Sequence, residues 1–323
     1  MEIGIGLDAS LGMTWADQTE LSDESAKLGY KSIWTPEGNG VDSFHLCVQR
    51  WQATRSTVAE GLGTGIGVSP VMYRTPLSFA MAGGTVSQIT GGKFVMGIGS
   101  GASYRPKSRR VVGLGRLSTL ALMRDYVTVV RGLVNGDEVN YEGETVTLRG
   151  MSLGISPAPK TPVYLGALGP RMLELAGELA DGASLNWCTP EQIAWSRERV
   201  ADGAAKAGRQ PSEINMTEYI RICVDDDVDA ARIALAKATM TYALGQTVPT
   251  ERERQLGYRG HFERMGYTEQ LAELDQMRTR GASADEVAAA FPADLLLAVG
   301  YFGKADGAAA HFKRLSEGLD TSI

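Results

Sequence analysis

Short apolar runs alternate with longer amphipathic stretches along this chain, a pattern typical of strands that are each followed by a helix. The predicted strands are Ile3–Asp8, Lys31–Thr35, Gly61–Val68, Lys93–Gly99, Pro162–Leu168, Gly182–Trp187, Ile214–Val224 and Asp294–Gly303. The predicted helices are Trp15–Leu28, Phe44–Thr57, Leu77–Gln88, Leu117–Leu133, Arg171–Leu179, Glu191–Ala207, Val228–Leu244, Glu269–Arg280 and Lys304–Leu319. This alternation favours parallel strands joined by helical crossovers.

The number and spacing of these units predict an α/β fold, a (β/α)8 TIM barrel, over a chain of 323 residues. An open doubly wound sheet is the competing architecture. We favour the barrel because the repeats run evenly and no Pro/Ser linker or block of charge divides the chain. We therefore expect a single domain over residues 1–323.

Two segments exceed the repeat and are predicted to be insertions. Val139–Gly150 alternates β-forming residues around Gly143, which predicts a hairpin before the fifth strand. Gly245–Tyr267 mixes Arg, Glu, Gly and aromatic residues before the predicted eighth strand. Long loops of this kind are often lids or contact surfaces.

Composition narrows the partners and the compartment. The net charge of −6 argues against nucleic acid as the main partner. Three separated cysteines and three unclustered histidines predict neither a disulfide framework nor a metal site. No apolar run is long enough to span a membrane, and the N-terminal sequence lacks the features of a signal peptide. We expect a cytoplasmic protein that binds a small molecule.

Glycine-rich ends of three strands are candidate ligand sites, because a barrel of this type places its active site where strands end. After the fourth strand, alternating glycines would let a ligand approach the backbone, although a flexible turn would look similar. After the third strand, glycines again suggest close approach by a ligand. The candidates on these two strands are Gly65, Ile66, Gly67, Gly99, Ser100, Gly101 and Ala102.

The third glycine-rich end follows the fifth strand, where Gly169, Pro170 and Arg171 open a helix. A helix start presents unpaired N–H groups and a positive dipole end, and Arg171 adds a charge suited to phosphate. An ordinary loop with an exposed arginine is the alternative. The candidates here are Gly166, Ala167, Leu168, Gly169, Pro170, Arg171 and Met172.

Charged residues mark three further places. Glu37 directly follows the second strand, although a solvated turn is the commoner position for such a residue. Arg74 precedes the third helix, and we weigh a structural role and ligand contact equally. The segment 104–124 contains no acid but carries several basic residues, which would attract an anion. They are Arg105, Lys107, Arg109, Arg110 and Arg116.

Four motifs together resemble the bacterial luciferase-like family of flavin and deazaflavin oxidoreductases. They are "SIWTPEG", "LGTGIGVSPVMYRTPLSFA", "GGKFVMGIGSG" and "VYLGALGPRMLELAGELADG", and their order and spacing cover nearly the whole chain. The compact length and "GALGPRML" are most similar to the branch that uses coenzyme F420, which includes methylenetetrahydromethanopterin reductase. The resemblance implies a (β/α)8 barrel with the deazaflavin ring over the strand ends. It also implies a non-prolyl cis peptide at Gly65–Ile66 and phosphate on the two glycine-rich loops. From the charge of the basic loop, Arg105 to Arg116, we expect the anionic tail of the cofactor to lie near it.

Two departures from the family pattern concern proton transfer. Many deazaflavin relatives carry an acid followed by His at the end of the second strand, whereas Glu37 is followed here by Gly38. The sugar-phosphate dehydrogenases place a Glu where this chain has Ala102. Glu37 is therefore the first acid–base candidate, Asp8 the second and Tyr104 the third.

The resemblance leaves three functions open. The first is hydride transfer between coenzyme F420 and a small organic substrate. The second is an FMN-dependent monooxygenase that uses O2 and a partner flavin reductase. The third is a protein that binds the cofactor without catalysis. By analogy with the family, we also expect a homodimer.

Overall fold

The computed structural model describes residues 1–8, 12–111, 113, 115–156 and 161–323. Its strands are β1 (Glu2–Gly6), β2 (Ser32–Thr35), β3 (Gly63–Pro70), β4 (Phe94–Gly99), β5 (Val139–Glu142), β6 (Thr147–Met151), β7 (Val163–Gly166), β8 (Gly182–Asn186), β9 (Asn215–Tyr219), β10 (Arg221–Val224), β11 (Gly300–Gly303) and β12 (Thr321–Ser322). Its helices are α1 (Trp15–Lys27), α2 (Ser43–Thr54), α3 (Pro76–Ile89), α4 (Pro106–Val111), α5 (Thr119–Val134), α6 (Pro170–Leu179), α7 (Pro190–Lys206), α8 (Val228–Ala243), α9 (Glu251–Leu256), α10 (Tyr258–Arg264), α11 (Thr268–Thr279), α12 (Ala284–Ala289), α13 (Ala293–Val299) and α14 (Ala305–Leu315).

Eight strands close into a barrel in the order β1-β12-β9-β8-β7-β4-β3-β2. Neighbouring strands run parallel, with Trp34 beside Gly65 and Gly97 beside Tyr164. Parallel neighbours need crossover connections, which α2, α3 and α6 supply between successive strands. The closed ring confirms the predicted (β/α)8 barrel and excludes the open sheet.

The eighth barrel strand differs from the prediction. Residues 294–303 form most of α13 and then β11, which pairs with β10 in a separate two-stranded sheet. The barrel is closed instead by β12, which pairs with β1, and directly before it Asp320 O accepts from Glu2 N at 2.7 Å. The predicted seventh strand is likewise divided into β9 in the barrel and β10 outside it. Two residues are too few to show the alternation of a strand, so the sequence contains no pattern that predicts β12.

Local sequence sets where the helices begin. Thr14 and Asp17 form a reciprocal capping box at α1, and Thr75 Oγ1 accepts from Ser78 N at the start of α3. Side-chain caps of this kind satisfy N–H groups that lack a partner within the helix. Helix α6 differs, because Gly169 precedes it and supplies no side-chain hydrogen bond.

The predicted hairpin before the fifth barrel strand is confirmed by the antiparallel pair β5 and β6. The buried carboxylate of Asp125 on α5 holds it. Asp125 accepts from Tyr141 Oη at 2.8 Å, from Thr145 N and Oγ1 at 2.5 and 2.7 Å, and from Val146 N at 3.1 Å. The second insertion, Gly245–Tyr267, folds into α9 and α10.

The chain divides into two compact units. The first contains residues 1–184, 198–217 and 320–323, and the second contains residues 185–197 and 218–319. Aromatic rings of Phe44, Phe79, Phe94 and Tyr126 pack within the first, with centroids 5.9–6.3 Å apart. The core of the second includes Trp187, Leu235 and Phe262. The prediction of one domain over residues 1–323 stays a prediction.

Candidate functional site

The end of β3 carries a bulge that turns Val68 toward two glycines. The β3–β4 register moves from Ile66 beside Met96 to Ser69 beside Ile98, so an extra residue is accommodated between them. A Cβ atom added to Gly99 would come within 2.5 Å of Val68 Cγ2, and one added to Gly166 within 3.2 Å. Both glycines therefore provide the space in which Val68 packs.

The cis peptide of this strand lies between Gly67 and Val68. The expected position, Gly65–Ile66, is wrong by two residues. Gly65 has a different role, because a Cβ there would lie 2.3 Å from the indole ring of Trp34. The alternating glycines of "GTGIGV" offered several equivalent positions, and only the β3–β4 register shows that the irregularity follows Ile66.

Glu37 follows the end of β2, and both oxygens of its carboxylate accept hydrogen bonds. Arg74 donates through its two terminal nitrogens to Oε2 at 2.5 Å and to Oε1 at 2.7 Å. Ser69 Oγ also donates to Oε2, and Ser43 N donates to Oε1 at 3.1 Å. The Glu37 side chain is only 2% exposed. Its backbone N–H donates to Val68 O at 3.2 Å, which joins the end of β2 to the bulge of β3.

Arg74 extends this network to the start of α2. It forms a second ion pair with Asp42, whose Oδ1 accepts from Phe44 N and His45 N at the first turn of the helix. Burial alone would raise the pKa of Asp42, but hydrogen bonds from His45 and the charge of Arg74 bring that pKa below its ordinary value. Burial opposes the charge of Arg74, yet Glu37 and Asp42 raise the pKa of its guanidinium. Arg74 thus has the structural role that the sequence left open, and its contact with a ligand stays untested.

Asp8 and Tyr104 are both half-buried next to strand ends. Asp8 follows β1, where the buried guanidinium of Arg50 donates to Leu7 O at 2.7 Å and to Trp34 O at 3.4 Å. Tyr104 lies in the turn after β4, with the Arg105 guanidinium 5.4 Å from its ring centroid. The acid–base roles of Glu37, Asp8 and Tyr104 stay predictions.

The basic loop contains exposed and buried charges. Lys107, Arg110 and Arg116 are exposed, whereas Arg109 is buried and donates to Ser103 O at 2.8 Å. Residues 112 and 114 of this loop lie outside the described residues. The exposed members supply a positive surface, while Arg109 fixes the turn that contains Ser100, Gly101 and Ala102.

The loop after β7 leads directly into α6. Gly169 O accepts from Met172 N at 3.1 Å and from Leu173 N at 3.0 Å, and Pro170 is the first helical residue. Arg171 is exposed, and Ala167 N donates to Ser184 O at 3.1 Å. The helix start foreseen from the sequence is confirmed, and phosphate binding there stays a prediction.

Sequence reasoning missed a polar and aromatic group in the second unit. The guanidinium of Arg221 lies 4.4 Å from the ring centroid of Trp187, which closely follows β8. Glu218 Oε1 accepts from Cys188 N at 2.6 Å, and His261 Nε2 lies 2.8 Å from Trp187 O. The signal in the sequence was the presence of two charged residues, Glu218 and Arg221, within the seventh predicted strand.

Two features are absent from the described ranges. Within residues 1–8, 12–111, 113, 115–156 and 161–323, no three His, Cys, Asp or Glu side chains are grouped to hold a metal ion. Over the same ranges, no helix has the length and apolar character needed to cross a bilayer.

Known proteins share sequence with parts of this chain. A 5,10-methylenetetrahydromethanopterin reductase from Archaeoglobus fulgidus is 35% identical over 190 residues, which are 59% of this chain and 56% of that protein. An F420-dependent glucose-6-phosphate dehydrogenase from Rhodococcus erythropolis is 31% identical over 174 residues, which are 53% of this chain and 51% of that protein. The chain thus spans little more than half the length of these curated relatives.

The fold and the family match extend over nearly all of the chain. The coenzyme F420-dependent tetrahydromethanopterin reductase of Methanopyrus kandleri matches with a TM-score of 0.76 and 20% identity, covering 100% of this chain and 92% of that chain. At this identity the likeness concerns the fold. The model of the luciferase-like monooxygenase family matches residues 2–322. The chain therefore belongs to the luciferase-like monooxygenase family.

Proposed function

We propose that this chain is an oxidoreductase that uses coenzyme F420 to transfer a hydride to or from a small organic substrate. The observation that carries the proposal is the Val68 bulge, which packs on Gly99 and Gly166 where β3, β4 and β7 end. The F420-dependent dehydrogenase from Rhodococcus erythropolis supports the choice of cofactor. Bound coenzyme F420 would supply the group that donates or accepts the hydride.

Several residues of the first unit fit a flat cofactor with an anionic side. Val68 would support the ring, because it is an apolar side chain presented at a strand end. Ser184 lies beside Gly166 in the β7–β8 register, and its buried Oγ has no hydrogen-bond partner among the described residues. A polar group of the ligand would satisfy such an atom. Proposed contacts also include Gly65, Ile66, Gly67 and the segment from Gly166 to Met172.

The anionic side would be held by the helix start and the basic surface. Arg171 and the uncapped first turn of α6 suit a phosphate. The turn at Ser100–Ala102 would contact the same side of the ligand. Lys107, Arg110 and Arg116 are exposed and would attract a tail of carboxylates.

The hydrogen bonds of the Glu37 carboxylate favour a positioning role for this residue over a role in proton transfer. Its carboxylate accepts four hydrogen bonds, from Arg74, Ser69 and Ser43. We therefore propose that Glu37 chiefly positions the β2 end and the Val68 bulge, and that Asp8 or Tyr104 moves the proton. Asp8→Asn and Tyr104→Phe should change the pH profile of kcat, whereas Glu37→Gln should chiefly lower stability. An altered pH profile in Glu37→Gln alone would return the acid–base role to Glu37.

Binding measurements test the cofactor. Fluorescence titration of the purified chain with F420 and with FMN should give the tighter Kd for F420, and native mass spectrometry should identify any species that co-purifies. Tighter FMN binding would instead support the monooxygenase, which needs a partner flavin reductase and O2. F420 binding without turnover over a broad substrate panel would support a non-catalytic binding protein.

We further propose a cytoplasmic homodimer. Trp15, Leu28 and Met81 of the first unit are 60%, 75% and 55% exposed, and a second copy would cover such apolar side chains. Cys47, Cys188 and Cys223 are free thiols, which suits a reducing compartment. Light scattering coupled to size exclusion tests the dimer, and a monomer at micromolar concentration would contradict it.

A further inference from the structure

Arg221 is held in an aromatic enclosure where two barrel strands end. Strand β8 ends at Asn186 and β9 ends at Tyr219, and Arg221 begins β10. The guanidinium lies 4.4 Å from the ring centroid of Trp187, 5.3 Å from that of Tyr219 and 5.9 Å from that of Tyr242. One terminal nitrogen donates to Asn186 Oδ1 and to Tyr219 O, the latter at 2.9 Å. These contacts fix the plane and direction of the guanidinium.

The charge of Arg221 has no carboxylate partner among the residues that the structure describes. Glu218 is the nearby candidate, but its carboxyl is 1% exposed and accepts from Cys188 N. Burial outweighs that hydrogen bond and the attraction of Arg221, and it raises the pKa of Glu218 to about 8. Glu218 is therefore mostly protonated at neutral pH and leaves the positive charge of Arg221 uncompensated.

Donor groups of Arg221 remain for a ligand. A guanidinium carries five N–H donors, and the two protein hydrogen bonds of Arg221 both leave from the same nitrogen. The side chain is half-buried, and neither Nε nor the second terminal nitrogen is sealed from solvent. Parallel donors of this kind match the two oxygens of a carboxylate.

Aromatic side chains form the walls of the enclosure. Tyr242 packs on Trp187 at 5.6 Å and edge-on to Tyr258 at 4.7 Å. Asn186 Nδ2 donates to Tyr258 Oη at 2.8 Å, so the same amide fixes both Arg221 and this ring. Trp187 adopts a φ of 58°, a rare conformation for a bulky residue and one that clusters at functional sites. Trp187 is fully buried and supports the guanidinium from within, whereas Tyr219 and Tyr242 are half-buried. Their flat apolar surface beside a guanidinium suits an anion with an unsaturated or aromatic body.

We propose that Arg221 binds the carboxylate of an organic anion whose planar body lies against the half-buried rings of Tyr219 and Tyr242. The inference rests on the proposed function in one respect, because an oxidoreductase that uses F420 binds two molecules that can carry a carboxylate. The carboxylate belongs either to the substrate or to the glutamyl tail of the cofactor. The contact between guanidinium and carboxylate is the same for both, whereas only a substrate with a planar body would also contact the rings.

Cinnamate and its neutral isostere cinnamamide are suitable probes, measured by calorimetry on the full chain. Wild type should bind cinnamate at least about tenfold more tightly than cinnamamide, and Arg221→Gln should lose about tenfold or more of the cinnamate affinity. Arg221→Lys keeps the positive charge but lacks the parallel N–H donors of a guanidinium. Its cinnamate affinity should lie between those of wild type and Arg221→Gln. Arg280→Gln, an exposed change in the same unit, should match wild type. Thermal melting checks that each variant is folded.

Three results would overturn the proposal. They are equal affinity of wild type for cinnamate and cinnamamide, equal cinnamate affinity in Arg221→Gln and Arg280→Gln, and no cinnamate binding by wild type up to about 10 mM. A fully unfolded Arg221→Gln leaves Arg221→Lys as the deciding variant, and wild-type affinity there would also contradict a bidentate contact.

Titrations with F420 and with the ribityl deazaflavin that lacks the phosphate and the tail separate the two sources. Loss of F420 affinity in Arg221→Gln, with the affinity of the tail-free deazaflavin unchanged, assigns the site to the anionic side of the cofactor, which carries its phosphate and its tail. Loss of cinnamate affinity with both deazaflavins unaffected assigns it to the substrate. Arg221-dependent cinnamate binding by a chain that binds no deazaflavin would support the carboxylate site and refute the proposed function.

Discussion

Arg74 holds Glu37 through two hydrogen bonds of 2.5 and 2.7 Å, and the two residues come from neighbouring strand ends 37 positions apart. The pair is shielded from solvent, with side chains 14% and 2% exposed. Shielding from solvent strengthens the attraction between the two charges. It also makes the loss of either partner destabilising, because the remaining charge is then unpaired away from water. The pair therefore fixes the end of β2 relative to the bulge of β3, where Glu37 N donates to Val68 O.

A double-mutant cycle over Glu37 and Arg74 should show strong coupling. Glu37→Gln should lower the free energy of unfolding by about 3 kcal/mol, because it leaves the half-buried Arg74 with only Asp42 as a charged partner. Arg74→Met should cost a similar amount, and the double variant should cost about 1–3 kcal/mol less than the sum. Urea unfolding measures all four proteins. Additive losses would show that the two side chains contribute independently.

The barrel was predictable because most of its strands contain enough apolar residues to show where they lie. Strand β2, "SIWT", is buried at every position. Strand β12 has only two residues, and a run that short cannot display a period. Residues 294–303 are apolar because they pack in the core of the second unit, which a sequence cannot distinguish from the barrel.

The site was predictable only for features that are local in the chain. The position of Glu37 at a strand end and the start of α6 at Pro170 both follow from short motifs. The Glu37–Arg74 pair depends on tertiary structure, and so does the packing of Val68 on Gly99. The enclosure of Arg221 depends on the backbone of Trp187, whose positive φ no residue-type preference would suggest.

Gly99→Ala should disturb the Val68 bulge. The new Cβ would lie 2.5 Å from Val68 Cγ2, so the valine must move, at a cost of about 1–3 kcal/mol of unfolding free energy. The F420 affinity should fall as well, because the displaced valine forms part of the proposed ring support. Val68→Ala combined with Gly99→Ala should recover most of the stability. Thermal melting and fluorescence titration give the two readouts.

Gly38→Ala is the matched control for that change. No described heavy atom lies within 4 Å of a Cβ built at Gly38, so this alanine should leave stability within about 0.5 kcal/mol of wild type. If Gly99→Ala were as stable as Gly38→Ala, the close packing of Val68 would not constrain residue 99.

Glu218→Gln should alter how stability depends on pH. The pKa of Glu218 rises from an ordinary value of 4.5 to about 8 on folding, chiefly because of burial. Between these values the folded chain binds more protons than the unfolded chain, so wild-type stability falls as pH rises from about 4.5 to 8. Glutamine cannot ionise, so the stability of the variant relative to wild type should increase across this range. The gain at pH 8 should be on the order of 2 kcal/mol or more.

Comparison at each pH separates Glu218 from neighbouring groups that titrate. Burial lowers the pKa of His261 to about 4, and this residue contributes a stability change of opposite sign between pH 4 and 6.5. His261 is present in both proteins, so its contribution cancels in their difference. Glu269→Gln, an exposed change in the same unit, serves as control. Parallel stability curves for wild type and Glu218→Gln would contradict a protonated Glu218.

Arg171→Gln should weaken F420 binding without destabilising the fold. Arg171 is exposed in the first turn of α6, where an added positive charge favours an anion and has no described ion pair to break. Loss of that charge should raise the Kd for F420 about tenfold at low salt, and the difference should shrink as ionic strength rises. The tail-free ribityl deazaflavin lacks the phosphate and should bind both proteins equally. Arg149→Gln, whose side chain is 81% exposed, is the control in the same unit. A phosphate held at the start of α6 requires the loss of F420 affinity to be specific to Arg171. Equal loss of affinity in Arg171→Gln and Arg149→Gln would instead indicate a general effect of net charge.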